Sequence, residues 1–158
     1  MGGSEREGSR IMVAVNESMY ALQWTLDNLF REKKDQHIIV MHAETPAVSK
    51  FALAGHAAAS AGHHVFEIAG RTQNHITQRI LSQAKEICEK GNVSIEMKVV
   101  IGETRYAICE AADEMKVDLL IVGTHGHGAV KRAIVGSVSE YCTRHCKCPV
   151  MVVKKPHS

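Results

Sequence analysis

Three glycines follow a short apolar run in the last third of this 158-residue chain: Leu119-Leu-Ile-Val leads into Gly123, Gly126 and Gly128. Glycine has no Cβ, so its backbone amide can approach a ligand closely. Leu119 to Val122, bounded by turn residues, suits a strand buried on both faces. Ser137-Val-Ser-Glu140 has the Ser-x-x-Glu spacing of a capping box, which predicts a helix starting at Ser137. Amides in a first helical turn lack intrahelical acceptors and suit an anion such as phosphate. A glycine loop after a strand, joined to a helix start, makes a cradle for phosphates.

Other chemistry finds less support in the spacing. Gly-x-Gly-x-x-Gly does not follow the first strand, which disfavours a dinucleotide site. Gly123 to Gly128 has the Walker glycine spacing, but Ala129 and Val130 stand where Lys and Ser/Thr are required. Ser137 lacks the Gly-x-Ser-x-Gly elbow of a nucleophile. Ten histidines include His125 and His127 in the glycine loop and His56, His63 and His64 upstream, with nothing to make them converge on a metal. Cys142, Cys146 and Cys148 cluster, and the first two lie one helical turn apart. They lack the C-x2-C spacing of a zinc knuckle, so they read as small core or helix-end residues. Trp24 and Tyr141 read as packing residues. Asp118 reads as a strand-end carboxylate.

These residues need elements to hold them. Ile11 to Val15 and Ile38 to Ala43 read as buried strands. Val93, Ile95, Met97 and Val99 alternate with polar residues, as in an edge strand. Val150 to Val153 reads as a last strand. Helical periodicity runs from Ser18 to about Lys33, with Ala21, Leu22, Thr25, Leu26 and Leu29 inward. It returns from Thr72 to about Lys90, where Gly91 should stop it, and from Thr104 to about Lys116. The stretch from about Thr45 to Gly70 has a loop-like composition, with room for a short Ala-rich helix. Alternating strands and helices predict a parallel sheet covered on both faces. A ligand then belongs at the carboxyl ends of the strands where their order reverses.

The spacing Gly123-x2-Gly126-x9-Gly136-Ser137 resembles the nucleotide-binding signature of the universal stress protein family. Arg10-Ile-Met-Val-Ala-Val-Asn-Glu-Ser resembles that family's first strand, Ile38-Ile-Val-Met-His-Ala its second, and Cys148-Pro-Val-Met-Val-Val-Lys its last. The similarity is greatest to plant single-domain members. It implies one open five-stranded parallel sheet in the order 3-2-1-4-5, Rossmann-like and akin to adenine nucleotide alpha hydrolases. Residues 10–155 would form this domain, after a disordered lead of residues 1–9.

The resemblance also implies a ligand, ATP or AMP. Asn16, at the end of strand one, would contact ribose. Ala43, at the end of strand two, would contact adenine. Ala14, Val15, Val122 and Gly123 would line base and sugar. Ser18, His125, Gly126, His127, Gly128, Gly136, Ser137, Val138 and Ser139 complete the candidate set, with the Ser137 and Ser139 hydroxyls offered to phosphate. Many members carry Asp where this chain has Asn16; an amide still pairs with ribose but is a poor Mg²⁺ ligand. The expected role is a stress-response switch read through nucleotide occupancy. A weak ATPase or phosphotransferase, and a nucleotide-free dimeric module, are the alternatives.

The balance of the chain fits a cytoplasmic protein, with the nucleus open to one of this size. Net charge is +2 with mixed signs, which gives no reason to expect nucleic acid or an anionic membrane as partner. No stretch is long and apolar enough to span a bilayer. Five cysteines without a secretory signal suggest free thiols in a reducing compartment. The family resemblance implies a homodimer through Val150, Met151, Val152 and Val153, an apolar edge open to pairing.

Overall fold

The computed structural model describes residues 8–16, 18–30, 36–46, 63–124 and 136–155, with residues 63–69 described in backbone only. Among the described residues five strands and four helices alternate: β1 (Ser9–Ala14), α1 (Tyr20–Leu29), β2 (Gln36–Glu44), α2 (His63–Lys90), β3 (Ile95–Ile101), α3 (Thr104–Glu114), β4 (Leu119–Gly123), α4 (Ser137–His145) and β5 (Val150–Val153). The sheet is parallel throughout and ordered β3-β2-β1-β4-β5, as the family resemblance implies.

The sheet divides the core into two layers because the central strands are apolar on both faces. Ile11 and Val13 of β1, Ile38 and Val40 of β2 and Ile121 of β4 face α1 and α2. They meet Leu22 and Leu26 from α1 and Ile80, Ala84 and Cys88 from α2. Met12, Ile39, Met41, Leu120 and Val122 point the other way, against Ile108, Ala111 and Ala112 of α3 and Cys142 of α4. At the amino end of the sheet Asp118 ties β4 to β1: its Oδ2 accepts from Arg10 N at 2.8 Å, and its own N donates to Arg10 O at 2.8 Å. Asp118 is thus a strand clasp at the opposite end from the glycine loop.

Several element boundaries differ from the sequence expectation. α2 begins at His63, inside the stretch read as loop. The chain stays helical through Gly70, where a Cβ would meet nothing within 4 Å, and one glycine in a helix costs only about 1 kcal/mol. The helix does end near Gly91, but the left-handed residue is Asn92 (φ 53°), with Val93 N donating to Cys88 O at 3.1 Å. α1 starts at Tyr20 rather than Ser18, because Asn16 Oδ1 accepts from Ser18 N at 2.8 Å and holds a turn there. Trp24, expected to pack, lies on the wet face of α1 and is 38% exposed. On β3 the alternation holds at Ile95 and Met97 and then fails: Val99 and Ile101 are exposed, while Val100 packs towards α3.

Buried thiols give the fold an alkaline limit. Cys88 lies in the first layer, and burial pushes its thiol from the ordinary 9.0 up to about 11. Burial also pushes Cys142 up to about 12. The fold therefore favours the protonated thiols, while an unfolded chain ionises them at about pH 9. Their contribution is complete below about pH 9 and is lost as pH rises through the folded values. We expect the melting temperature to fall from about pH 9 upward, with a shallower fall in Cys88→Ala, measured by circular dichroism. Equal slopes in both proteins would contradict this.

Candidate functional site

β1 pairs with β2 on one side and β4 on the other, so successive connections leave the sheet to opposite faces at this point. The carboxyl ends of β1 and β4 therefore open a crevice. On the β1 side, Val15 is buried, and both its backbone groups are used: its N donates to Met41 O at 2.8 Å, and its carbonyl lies 3.0 Å from His42 Nδ1. Val15 thus packs beneath the crevice, with its side chain in the α1/α2 layer. Asn16 follows and is exposed. Its Oδ1 serves the turn to Ser18, and its Nδ2 is a donor it can offer a ligand. Ala14 and Ala43 are half-buried on the opposite layer.

On the β4 side, Val122 is buried and Gly123 ends the strand. The Tyr20 ring lies over Gly123, where an added Cβ would sit 2.7 Å from the phenol Cζ. Thr124, which sequence reasoning passed over, joins four elements. Its N donates to Val153 O at 3.1 Å, and its Oγ1 accepts from Lys155 N at 3.4 Å. The same Oγ1 meets Tyr20 Oη at 3.4 Å. Its carbonyl oxygen lies directly against Gly136, where a Cβ would collide with it and stand 3.2 Å from the carbonyl carbon. The glycine therefore lets the start of α4 close onto the end of β4.

α4 begins at Ser137, as its sequence predicts, but not by the predicted device. Gly136 is the N-cap, with extended backbone (φ −72°, ψ 161°) and no side-chain cap. Ser137 is the first helical residue and exposed. Ser139 is fully buried, and its hydroxyl donates to Gly136 O at 2.9 Å. That hydroxyl braces the turn and is not offered outward. Glu140, expected to complete the capping box, pairs instead with Arg144 at 3.0 Å on the helix surface. Among the described residues no side chain caps the first-turn amides, which lie at the positive end of the helix dipole. Val138 is half-buried against the α3 layer. His125, Gly126, His127 and Gly128 lie outside the described residues.

A second feature escaped the sequence reading. His42, near the end of β2, is buried, and its Nε2 has no hydrogen-bond partner among the described residues. With Nδ1 donating to Val15 O, Nε2 carries an open acceptor lone pair. Alternation along β2 could have flagged it, since His42 shares a face with Ile38 and Val40.

This arrangement has known counterparts. The universal stress protein family profile matches residues 8–154. A universal stress protein A-like protein from Arabidopsis thaliana is 26% identical over 171 residues, covering 94% of this chain and 91% of its own. The solved structure of protein MJ0577 superposes with a TM-score of 0.73 at 22% identity, covering 96% of this chain and 99% of the other. A universal stress family protein of Arabidopsis thaliana, solved with AMP bound, superposes with a TM-score of 0.67 at 24% identity, covering 94% and 92%. With the family profile spanning nearly all of its length, the chain belongs to the universal stress protein family.

Proposed function

We propose that this protein binds an adenine nucleotide, ATP or AMP, in the crevice between β1 and β4, and that occupancy acts as a signal in a cytoplasmic stress response. The observation that carries this reading is the closure of Gly136 onto the Thr124 carbonyl. It sets the uncapped first turn of α4 beside the end of β4, at the point where strand order reverses. A phosphate chain there would accept from the amides of Ser137 and Val138, and the amides of Gly126 to Gly128 are proposed as further donors. Asn16 Nδ2 would reach the ribose, Ala43 would lie against the base, and Ala14, Val122 and Gly123 would form the floor. The AMP-bound Arabidopsis structure of similar fold supports the choice of ligand class. Asn16 spends its oxygen on the turn, so the site offers little to Mg²⁺ from this residue. The reading is accordingly binding, with hydrolysis slow or absent. Mass spectrometry of small molecules released from the purified protein, followed by calorimetric titration with ATP, ADP and AMP, tests it. Saturable binding of an adenylate by the intact chain is expected. Absence of heat with all three, in protein shown free of copurified ligand, would refute it.

The same reading includes a homodimer through β5. This strand is at the sheet edge, and Val150, Met151 and Val152 are only half-buried. An apolar sheet edge of this kind invites pairing with another chain. We expect Met151→Lys to shift the protein from dimer to monomer in sedimentation velocity, by placing a charge in each copy of the joint. An unchanged dimer would locate the interface elsewhere.

A further inference from the structure

The thiols cluster differently from their order in the chain. Cys109 of α3 comes between Cys142 and Cys146 of α4, and Cys148 is left outside. Cys109 Sγ lies 3.7 Å from Cys142 Sγ and 2.7 Å from Cys146 Sγ, and all three sulfurs fall within 4.8 Å of one another. Cys142 is fully buried, Cys109 is 7% exposed and Cys146 is half-buried at the C-cap of α4. The cluster sits towards the far end of α4 from Gly136, so it is separate from the nucleotide crevice.

We propose that Cys109, Cys142 and Cys146 form a three-sulfur site for a soft, closed-shell metal ion, with monovalent copper the best match.

Sulfur donors without carboxylate or imidazole select ions of this class. Among the described residues no His, Asp or Glu joins the group. Zinc prefers four ligands and would have to complete its shell with water, whereas three sulfurs satisfy monovalent copper. Metal–sulfur bonds of about 2.3 Å hold three sulfurs roughly 4 Å apart around a common centre. Cys109 and Cys142 already have nearly that separation, and Cys146 would need to swing outward by about an ångström from its place at the C-cap of α4. At 2.7 Å the Cys109–Cys146 pair is closer than unligated sulfurs ordinarily rest, yet longer than the about 2.0 Å of a disulfide. As each metal–sulfur bond forms, the thiol releases its proton to solvent, and the ion keeps its oxidation state. Burial raises the affinity of Cys142 and Cys146 for their protons, so without an ion both are neutral thiols at neutral pH.

The test uses the full-length chain, reduced with a phosphine and kept free of oxygen. Monovalent copper is titrated against a chromophoric copper chelator, zinc against a zinc chelator, and the loaded protein is examined by X-ray absorption. We expect one ion per chain, a first shell of three sulfurs, and preference for copper. Cys146→Ser and Cys109→Ser should each weaken uptake by at least about tenfold, since outer-shell partners alone can cost that much. Cys148→Ser should bind as the parent does. Thermal melts confirm that the variants fold, and the absorption spectrum of the unsubstituted chain decides the matter if Cys109→Ser does not. A zinc preference with the same shell would uphold the site and correct the ion. No stoichiometric uptake, a nitrogen or oxygen shell, unaltered uptake in Cys146→Ser, or a Cys109–Cys146 disulfide that resists the phosphine would each overturn the proposal.

Discussion

Gly136→Val is expected to cost about 1–3 kcal/mol of stability and to remove nucleotide affinity with it. The added Cβ collides with the Thr124 carbonyl oxygen and stands 3.2 Å from its carbon. The obstacle is backbone, so it cannot rotate aside as a side-chain end would. Relief requires α4 to back away from β4, which withdraws the Ser137 and Val138 amides from the crevice. The Ser139 hydroxyl bond to Gly136 O would be strained at the same time. The expectation from sequence spacing alone is a binding defect in an otherwise intact fold; the observed contact couples the two losses. Gly70→Ala is the control. Nothing lies within 4 Å of its Cβ position, and the helix continues on either side, so a gain of about 0.5–1 kcal/mol is expected. Calorimetric titration and urea unfolding of the two variants check both claims. A Gly136→Val protein with parental stability and affinity would show that the close approach does not position the site.

Leu120→Ala carries the second large effect. Leu120 is fully buried in the middle of β4, in the layer with Met12, Ile39, Ile108 and Cys142. Truncation removes apolar contact and leaves a cavity between sheet and helices, at a cost of about 2–5 kcal/mol. Its neighbour Val122 underlies the crevice, so a loosened β4 should also weaken ligand binding. Ile101→Ala makes the comparison, because Ile101 is also an aliphatic strand residue but is 71% exposed on the β3 edge. A change of no more than about 0.5 kcal/mol is expected there. Chemical denaturation distinguishes the two. Equal losses would mean that the layers are not packed as described.

The two variants also show which parts of the structure the residues announce in advance. Leu119 to Val122 and Ile38 to Met41 are apolar without interruption, and a run that short suits a strand covered on both faces. The helical spacing of Ala21, Leu22, Thr25 and Leu26 marks the buried face of α1 directly. Strand order is not encoded in periodicity; it entered through the resemblance of four blocks to a family. Val99 and Ile101 continue an apolar pattern that the fold leaves uncovered, because tertiary cover ends before the strand does. The capping-box spacing found the start of α4 but misassigned its cap, since Gly136 needs no side chain to adopt the cap conformation. Thr124 and His42 went unnoticed for a common reason. Their importance lies in contacts to Gly136, Tyr20 and Val15, which are distant in the chain. The thiol triad shows the same limit: Cys148 is nearer in sequence, but Cys109 is nearer in space.

Nucleotide titration of the isotopically labelled full-length chain, followed by amide NMR, tests the central claim most directly. If phosphates rest on the first turn of α4, the amides of Gly123, Gly136, Ser137 and Val138 and the side-chain amide of Asn16 will shift together and saturate with one affinity. The amides of β3, at the far edge of the sheet, will stay in place. Shifts confined to other surfaces, or none at saturating ATP and AMP, would contradict an adenylate site between β1 and β4.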